Sequence, residues 1–277
     1  NGEYKMSKLP LTETELMNYP VLYQTDPHED ASEKYSVIKS IDVIKELRDR
    51  YGWYPTSVQV AHTDDEKRKD KTVHCIRLKK FEDLISQKEN VIEILIFNSL
   101  DRTKIFSISI GVYRYVCENS LVCGDTYEKF TLKHIGNLDE NLADIIQKIA
   151  EYKPQLEEKI KAFSSLILNE QEMEIFAKLS VPLRWESHLD VDYKKLLLPR
   201  IEADRKDTSL YTVMNIIQNN LLKPDSITGV NTDTGRKFST SREISSISKD
   251  YEINFNLWNL AERIYSIKVP EAIALAA

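Results

Sequence analysis

The segment Gly111 to Gly124, GVYRYVCENSLVCG, concentrates residues able to do chemistry: a guanidinium, two thiols, a carboxylate and an amide. On a strand, Val112, Arg114 and Val116 share one face, while Tyr113, Tyr115 and Cys117 share the other. Arg114 then points the same way as two valines. A guanidinium in apolar surroundings cannot shed its charge, so it must meet a carboxylate, a carbonyl or a phosphate. Two readings follow. One is an internal ion pair with an acid such as Glu118 or Asp101. The other is an anion-binding arginine at a groove, its planar fork set for a phosphate or carboxylate.

Other reactive side chains suggest less. Cys117 and Cys123, with Cys75, His74 and His134, invite a zinc reading, but the five residues between the first two match no common paired-ligand spacing, and core thiols are preferred. Cys117, His134 and Asn119 nominally supply a nucleophile, a base and an orienting amide without any local catalytic signature. There is no Gly-rich phosphate loop and no GxGxxG. Asp190 with Asp192, or Glu202 with Asp204, could ligate magnesium as nucleases require, yet exposed acids are common in a chain that has 44 of them. No metal, cofactor or catalytic residue is expected.

Basic and aromatic residues interleave in three places: Arg77, Lys79 and Lys80 with Phe81; Tyr113 and Tyr115 with Arg114; and Arg236 and Lys237 with Phe238. Such sets can stack bases and neutralise a backbone, and solvated strand edges look the same. In MNIIQNNL, Asn215, Gln218 and Asn219 recur at three- and four-residue steps beside an apolar stripe. Structural hydrogen bonding is their simplest role, although amides can also read base edges.

The elements that must carry these residues are legible as patterns. SIDVIKELRDRYG reads as a helix that Ser40 caps and Gly52 ends. WYPTSVQVAHT and TVHCIRLKK flank DDEKRKDK as the two strands and solvated tip of an antiparallel hairpin. Further strands are expected at VIEILIFNS, KIFSISIGVYRYVC and KFTLKHIG. From Leu142 to Ile167 apolar residues keep helical steps, with Pro154 bending the helix or starting a second piece. Asn169 caps a helix that Pro182 limits, and SLYTVMNIIQNNLLK and NFNLWNLAERIYSI are further helices. The polar stretch from Lys223 to Ser241 reads as an exposed loop or small hairpin. Strands first and helices afterwards predict an α+β fold: an antiparallel sheet in the N-terminal half packed with helices, and a helical C-terminal half. A single integrated domain over 1–277 is expected, any subdivision falling near residue 138 between a sheet-rich 32–137 and a helix-rich 138–268.

Composition bounds the rest. The 277 residues are 42% hydrophobic and 30% charged, enough for a substantial core, and 7 Gly and 9 Pro exclude collagen-like or low-complexity classes. No apolar run approaches the roughly 20 residues of a membrane span. NGEYKMSKLPLTETEL has no apolar signal core, and three cysteines make no disulfide framework, so a cytoplasmic location is expected. A net charge of -6 gives no global field to attract nucleic acid, so phosphate binding would need a local basic face.

Taken in order, IFNSLDRT, GVYRYVCENSLVCG, LKHIG, SLYTVMNIIQNNLL and NLWNLAE resemble the phage/plasmid-like protein family, a domain-of-unknown-function group of prophages, plasmids and other mobile elements. SEKYSVIKSIDVIKELRDRYGWYP and VHCIRLKKF agree with its N-terminal part, so the likeness runs from about Ser32 to Ile264. By the family pattern, Asn98, Ser99, Gly111, Arg114, Cys117, Asn119, His134, Asn215, Gln218 and Trp258 fall on recurring positions. Two departures stand out: Asn119 and Ser120 replace the usual Asn-Gly, and Leu100, Asp101 and Arg102 replace His-Asp-Gly. The resemblance implies a mobile-element setting and brings no reaction with it. The function expected is a non-enzymatic accessory protein that binds single-stranded nucleic acid along a sheet face lined by Arg114 and neighbouring polar groups, with Arg114, Asn98, Asn119, His134, Arg77, Asn215 and Gln218 as binding residues. The alternative is an anti-defence protein that binds a host protein complex. A metal-dependent hydrolase built on His134 is the third reading.

Overall fold

The computed structural model describes residues 9–26, 37–86, 88–101, 103–104, 106–115, 119–122, 130–131 and 138–270, and their side chains except at 119–122, 130–131 and 138–141. The helices are α1 (Glu13–Leu16), α2 (Ser40–Tyr51), α3 (Phe81–Ile85), α4 (Leu138–Ser165), α5 (Glu170–Ser180), α6 (Leu210–Leu222) and α7 (Ile247–Lys268). The strands are β1 (Trp53–Val60), β2 (His74–Lys80), β3 (Asn90–Asn98), β4 (Ser107–Arg114), β5 (Asn119–Val122), β6 (Phe130–Thr131), β7 (Leu189–Val191), β8 (Ile227–Asn231) and β9 (Lys237–Thr240). This is the α+β architecture the patterning predicts. The chain divides into two compact units, residues 1–115 with 125–153, and residues 116–124 with 154–277.

In the first unit β1 to β4 form an antiparallel meander in chain order, and β6 also pairs with β4. Strand registers fix what lies beside what. His74 pairs with Asn98, Arg77 with Leu95, Lys79 with Glu93, and Glu93 in turn with Gly111. One face is aliphatic: Ile76 and Leu78, then Ile92, Ile94 and Ile96, then Ile108, Ile110 and Val112 are all buried. Against it α2 brings Ile41, Val43, Ile44 and Leu47, each buried and each contributing about 1.5–3 kcal/mol by leaving water. Gly52 ends α2 in the left-handed region at φ 66°, as a glycine cap should. The N-cap differs from expectation. Lys39 occupies it, and Ser40 is the first helical residue, its hydroxyl engaged elsewhere.

The second unit is built around α6, whose residues Leu210 to Leu221 are all buried. A helix apolar on one stripe but buried all round must satisfy its amides internally. Ser209 caps it through Thr212 N, and Asn169 and Glu172 cap α5 with a reciprocal capping box. Trp258 of α7 is wholly buried beside Phe163, ring centroids 5.2 Å apart. The α7 helix starts seven residues before the sequence pattern suggests, at Ile247, because Ser246 caps it by accepting from Lys249 N. The polar stretch after Lys223 is a hairpin, β8 and β9, completed by β7 into a three-stranded antiparallel sheet. Gly229 is required there: a Cβ would stand 2.4 Å from the Asp190 carbonyl oxygen and 2.6 Å from the Phe238 ring. No helix among the described residues is long and apolar enough to cross a membrane.

Candidate functional site

The two faces of the first sheet treat polar residues differently. On the aliphatic face they sit at its ends. At one end the His74 Nδ1 lies 3.1 Å from the Thr72 carbonyl oxygen, which can only accept, so Nδ1 carries the proton and Nε2 is the acceptor. The Ser40 hydroxyl, 2.7 Å away, therefore donates to Nε2. Ser40 Oγ accepts in turn from Asn98 Nδ2 at 3.0 Å, and Asn98 also donates to the Ile38 carbonyl at 2.9 Å. This relay fastens the start of α2 to β2 and β3. Burial pushes the His74 imidazole down to about 4, so it is neutral at ordinary pH.

At the other end of that face Lys80 Nζ donates to the Tyr51 carbonyl, placing a cation at the C-terminus of α2. Arg114 lies there too. It shares a face with Val112, is 4% exposed, and its Nε donates to Glu89 Oε1 at 2.7 Å. The inward arginine thus meets a carboxylate, supplied by Glu89 rather than by Asp101, whose carboxylate accepts from the Thr103 amide and hydroxyl. Glu118 lies outside the described residues.

The opposite face carries charge in its middle. Arg77 Nη1 donates to Glu93 Oε1 at 2.7 Å, both side chains largely buried. Lys79, the direct cross-strand neighbour of Glu93, is 4% exposed, with its Nζ 3.2 Å from the centre of the Tyr113 ring and 5.1 Å from that of Tyr115. The two tyrosines meet edge to face at 5.0 Å. Burial, followed by the Asp83 and Glu93 carboxylates, raises the Tyr115 phenol above its ordinary value. Asp83 is buried and pairs with Lys153 Nζ at 3.7 Å through Oδ2. Glu93 Oε2 and Asp83 Oδ2 are buried and, among the described residues, accept no hydrogen bond. Opposite Glu93 on β4 stands Gly111, with Ser109 and Tyr113 on either side of it on the same face.

The residues singled out from sequence therefore do not converge. Arg77 lies on the charged face, while Asn98 and Arg114 hold opposite ends of the aliphatic one. Asn119 has its backbone in β5, and its side chain and all of His134 lie outside the described residues. Asn215 and Gln218 belong to α6 in the second unit, where Asn215 Nδ2 donates to the Tyr211 carbonyl at 2.8 Å and Gln218 Nε2 to Asn254 Oδ1 at 2.6 Å. Sequence reasoning missed Glu93, Glu89 and the Ser40–His74 contact. The signal for Glu93 was present: a single acid inside the apolar run VIEILIFN.

Fold and site define an α+β protein whose N-terminal sheet buries a cationic, anionic and aromatic cluster on one face. The chain belongs to the DUF932 family, described as a domain of unknown function, which it matches over residues 27–249. It is also 32% identical over 257 residues, 92% of either chain, to the UPF0380 proteins YfjQ and YafZ of Escherichia coli strain K12. No solved structure matches it.

Proposed function

We propose that this chain is a non-enzymatic protein that binds single-stranded nucleic acid on the charged face of its N-terminal sheet, as an accessory protein of a mobile element. The observation that supports this reading is the meeting of two separately noted basic and aromatic segments: β2 contributes Arg77 and Lys79, and β4 with the residue after it contributes Tyr113 and Tyr115, all on one face. Tyrosine rings offer base stacking worth about 1–3 kcal/mol per base, and neighbouring cations neutralise phosphates. Arg77, Tyr113 and Tyr115 are half-buried, so each keeps an edge toward solvent. With the net charge at -6, attraction has to be local, which makes the interaction strongly salt-sensitive.

Titration of labelled single strands at low and moderate salt tests the reading. Binding should weaken linearly in logarithmic salt. Binding that is absent, or indifferent to salt, overturns it.

A further inference from the structure

We infer that the outward face of α5 is a self-docking surface, on which a second copy of this chain lays its own α5 antiparallel, with Ile175 and Leu179 at the centre and Lys178 of each copy against Glu174 of the other. The inference concerns the second unit and stands whether or not the nucleic-acid reading does. The helix is apolar on two sides. Phe176 and Ala177 turn into the core, while Ile175 and Leu179 are 47% and 51% exposed. A single exposed leucine is ordinary, but two large aliphatic side chains four residues apart stack into a stripe that gains free energy when it is covered.

The charges beside the stripe name the occupant. Glu174 and Lys178, also four apart, lie along one flank, and both meet Tyr193: its hydroxyl donates to Glu174 Oε2 at 3.2 Å, and Lys178 Nζ is 4.6 Å from the centre of its ring. Lys194, 3.3 Å from Glu174 Oε1, and then the Tyr193 hydroxyl hold the Glu174 carboxyl below its ordinary range, so it is charged near neutral pH. Along this flank an acid is followed one turn later by a base. A parallel copy would set like charge against like. A copy running the other way, about a two-fold axis at the level of Phe176, brings each Lys178 level with Glu174 of the other on the same flank, where that carboxylate is shared with Lys194. The same axis seats Ile175 of each copy between Ile175 and Leu179 of the other, a knob in a hole. The face is thus complementary to itself, as a two-fold interface requires. The 11 residues of α5 span about 16 Å, so the contact is smaller than a standard interface and the pair should form and separate with concentration.

Sedimentation velocity on the whole chain, from micromolar to near-millimolar concentration, tests this, and a two-chain species should grow in across the range. Ile175→Glu with Leu179→Glu alters only an exposed face, so it should leave the far-ultraviolet circular dichroism unchanged and weaken pairing about thirtyfold or more, the scale of an interface hot spot. Lys178→Glu alone and Glu174→Lys alone should each weaken it about tenfold, because each sets like charges opposite one another. An equimolar mixture of those two variants should pair as tightly as the unaltered chain, since every facing charge in the mixed pair is then opposite, and a folding defect in either variant would give no such recovery. A chain that stays single over the whole range overturns the inference, as does a dimer indifferent to the Ile175 and Leu179 change. Charge variants that both lose pairing and do not regain it on mixing overturn it as well.

Discussion

The first unit buries charges and the second buries amides, and the two solutions are not equivalent. In the second unit Asn220 donates to the carbonyls of Leu196, Leu198 and Ile216 and accepts from Arg200 Nε, while Gln218 donates to Asn254. A neutral amide both donates and accepts, so a closed core can meet its needs with backbone atoms. In the first unit Arg77, Lys79 and Glu93 share one sheet face and Asp83 of α3 is buried as well, and among the described residues neither Glu93 Oε2 nor Asp83 Oδ2 accepts a hydrogen bond. An ion has no neutral form so readily available, and its desolvation must be met by a counter-charge of good geometry. The contrast is one of charge rather than of complete satisfaction: Asn215 Oδ1 and Asn259 Oδ1 are also buried without a hydrogen-bond donor among the described residues, but a neutral amide oxygen left so costs less than a carboxylate oxygen.

The largest expected effect that could break this contrast is at Arg77. Arg77→Met leaves Glu93 buried without its cation and should cost about 3–5 kcal/mol in urea unfolding, while adding Glu93→Leu should recover most of that loss. Equal costs for the single and double variants would mean the pair is not the unit of stability. Next comes acid. His74 has its ordinary value of 6.5 moved down to about 4 in the folded chain, so below 6.5 the unfolded chain binds the extra proton. The stability contributed by keeping the ring neutral is complete above that value and is lost as pH falls toward 4, on the order of 3 kcal/mol. Denaturant midpoints taken across this window should fall, and the fall should flatten in His74→Phe.

Smaller effects sharpen the amide side. Asn220→Ala removes donors to three carbonyls and the acceptor of Arg200, and should cost about 1–3 kcal/mol in the same unfolding measurement. A cost below that of an exposed ion pair would show the amide network to be dispensable. The reference for that comparison is Arg50 with Glu46 on α2, four residues apart and solvent-facing, where Arg50→Ala should change stability by about 0.3–0.5 kcal/mol.

Much of the fold was legible because local patterns had local causes. The alternation in β2 and β3, the glycine after α2 and the asparagine before α5 each act within a few residues. The aliphatic face of the sheet could be read from Ile92, Ile94 and Ile96 without knowing their partners. Arg114 was legible as an inward charge, since its parity with Val112 is a property of the strand alone. Its partner was not, because Glu89 reaches it across the sheet through the register of β3 with β4. The candidate site was half legible: both basic and aromatic segments stood out, but nothing local said that they share a face.

Periodicity and caps, which depend on neighbours in the chain, determined the elements and the α+β class from the sequence by itself. Strand register decided the rest, by choosing which side chains face one another across distances no sequence interval encodes. Lys79 meets Tyr113, Arg77 meets Glu93, and Ser40 meets His74 only because separate strands and a helix are aligned to within a residue. A slip of one position would send each of these groups to the other face.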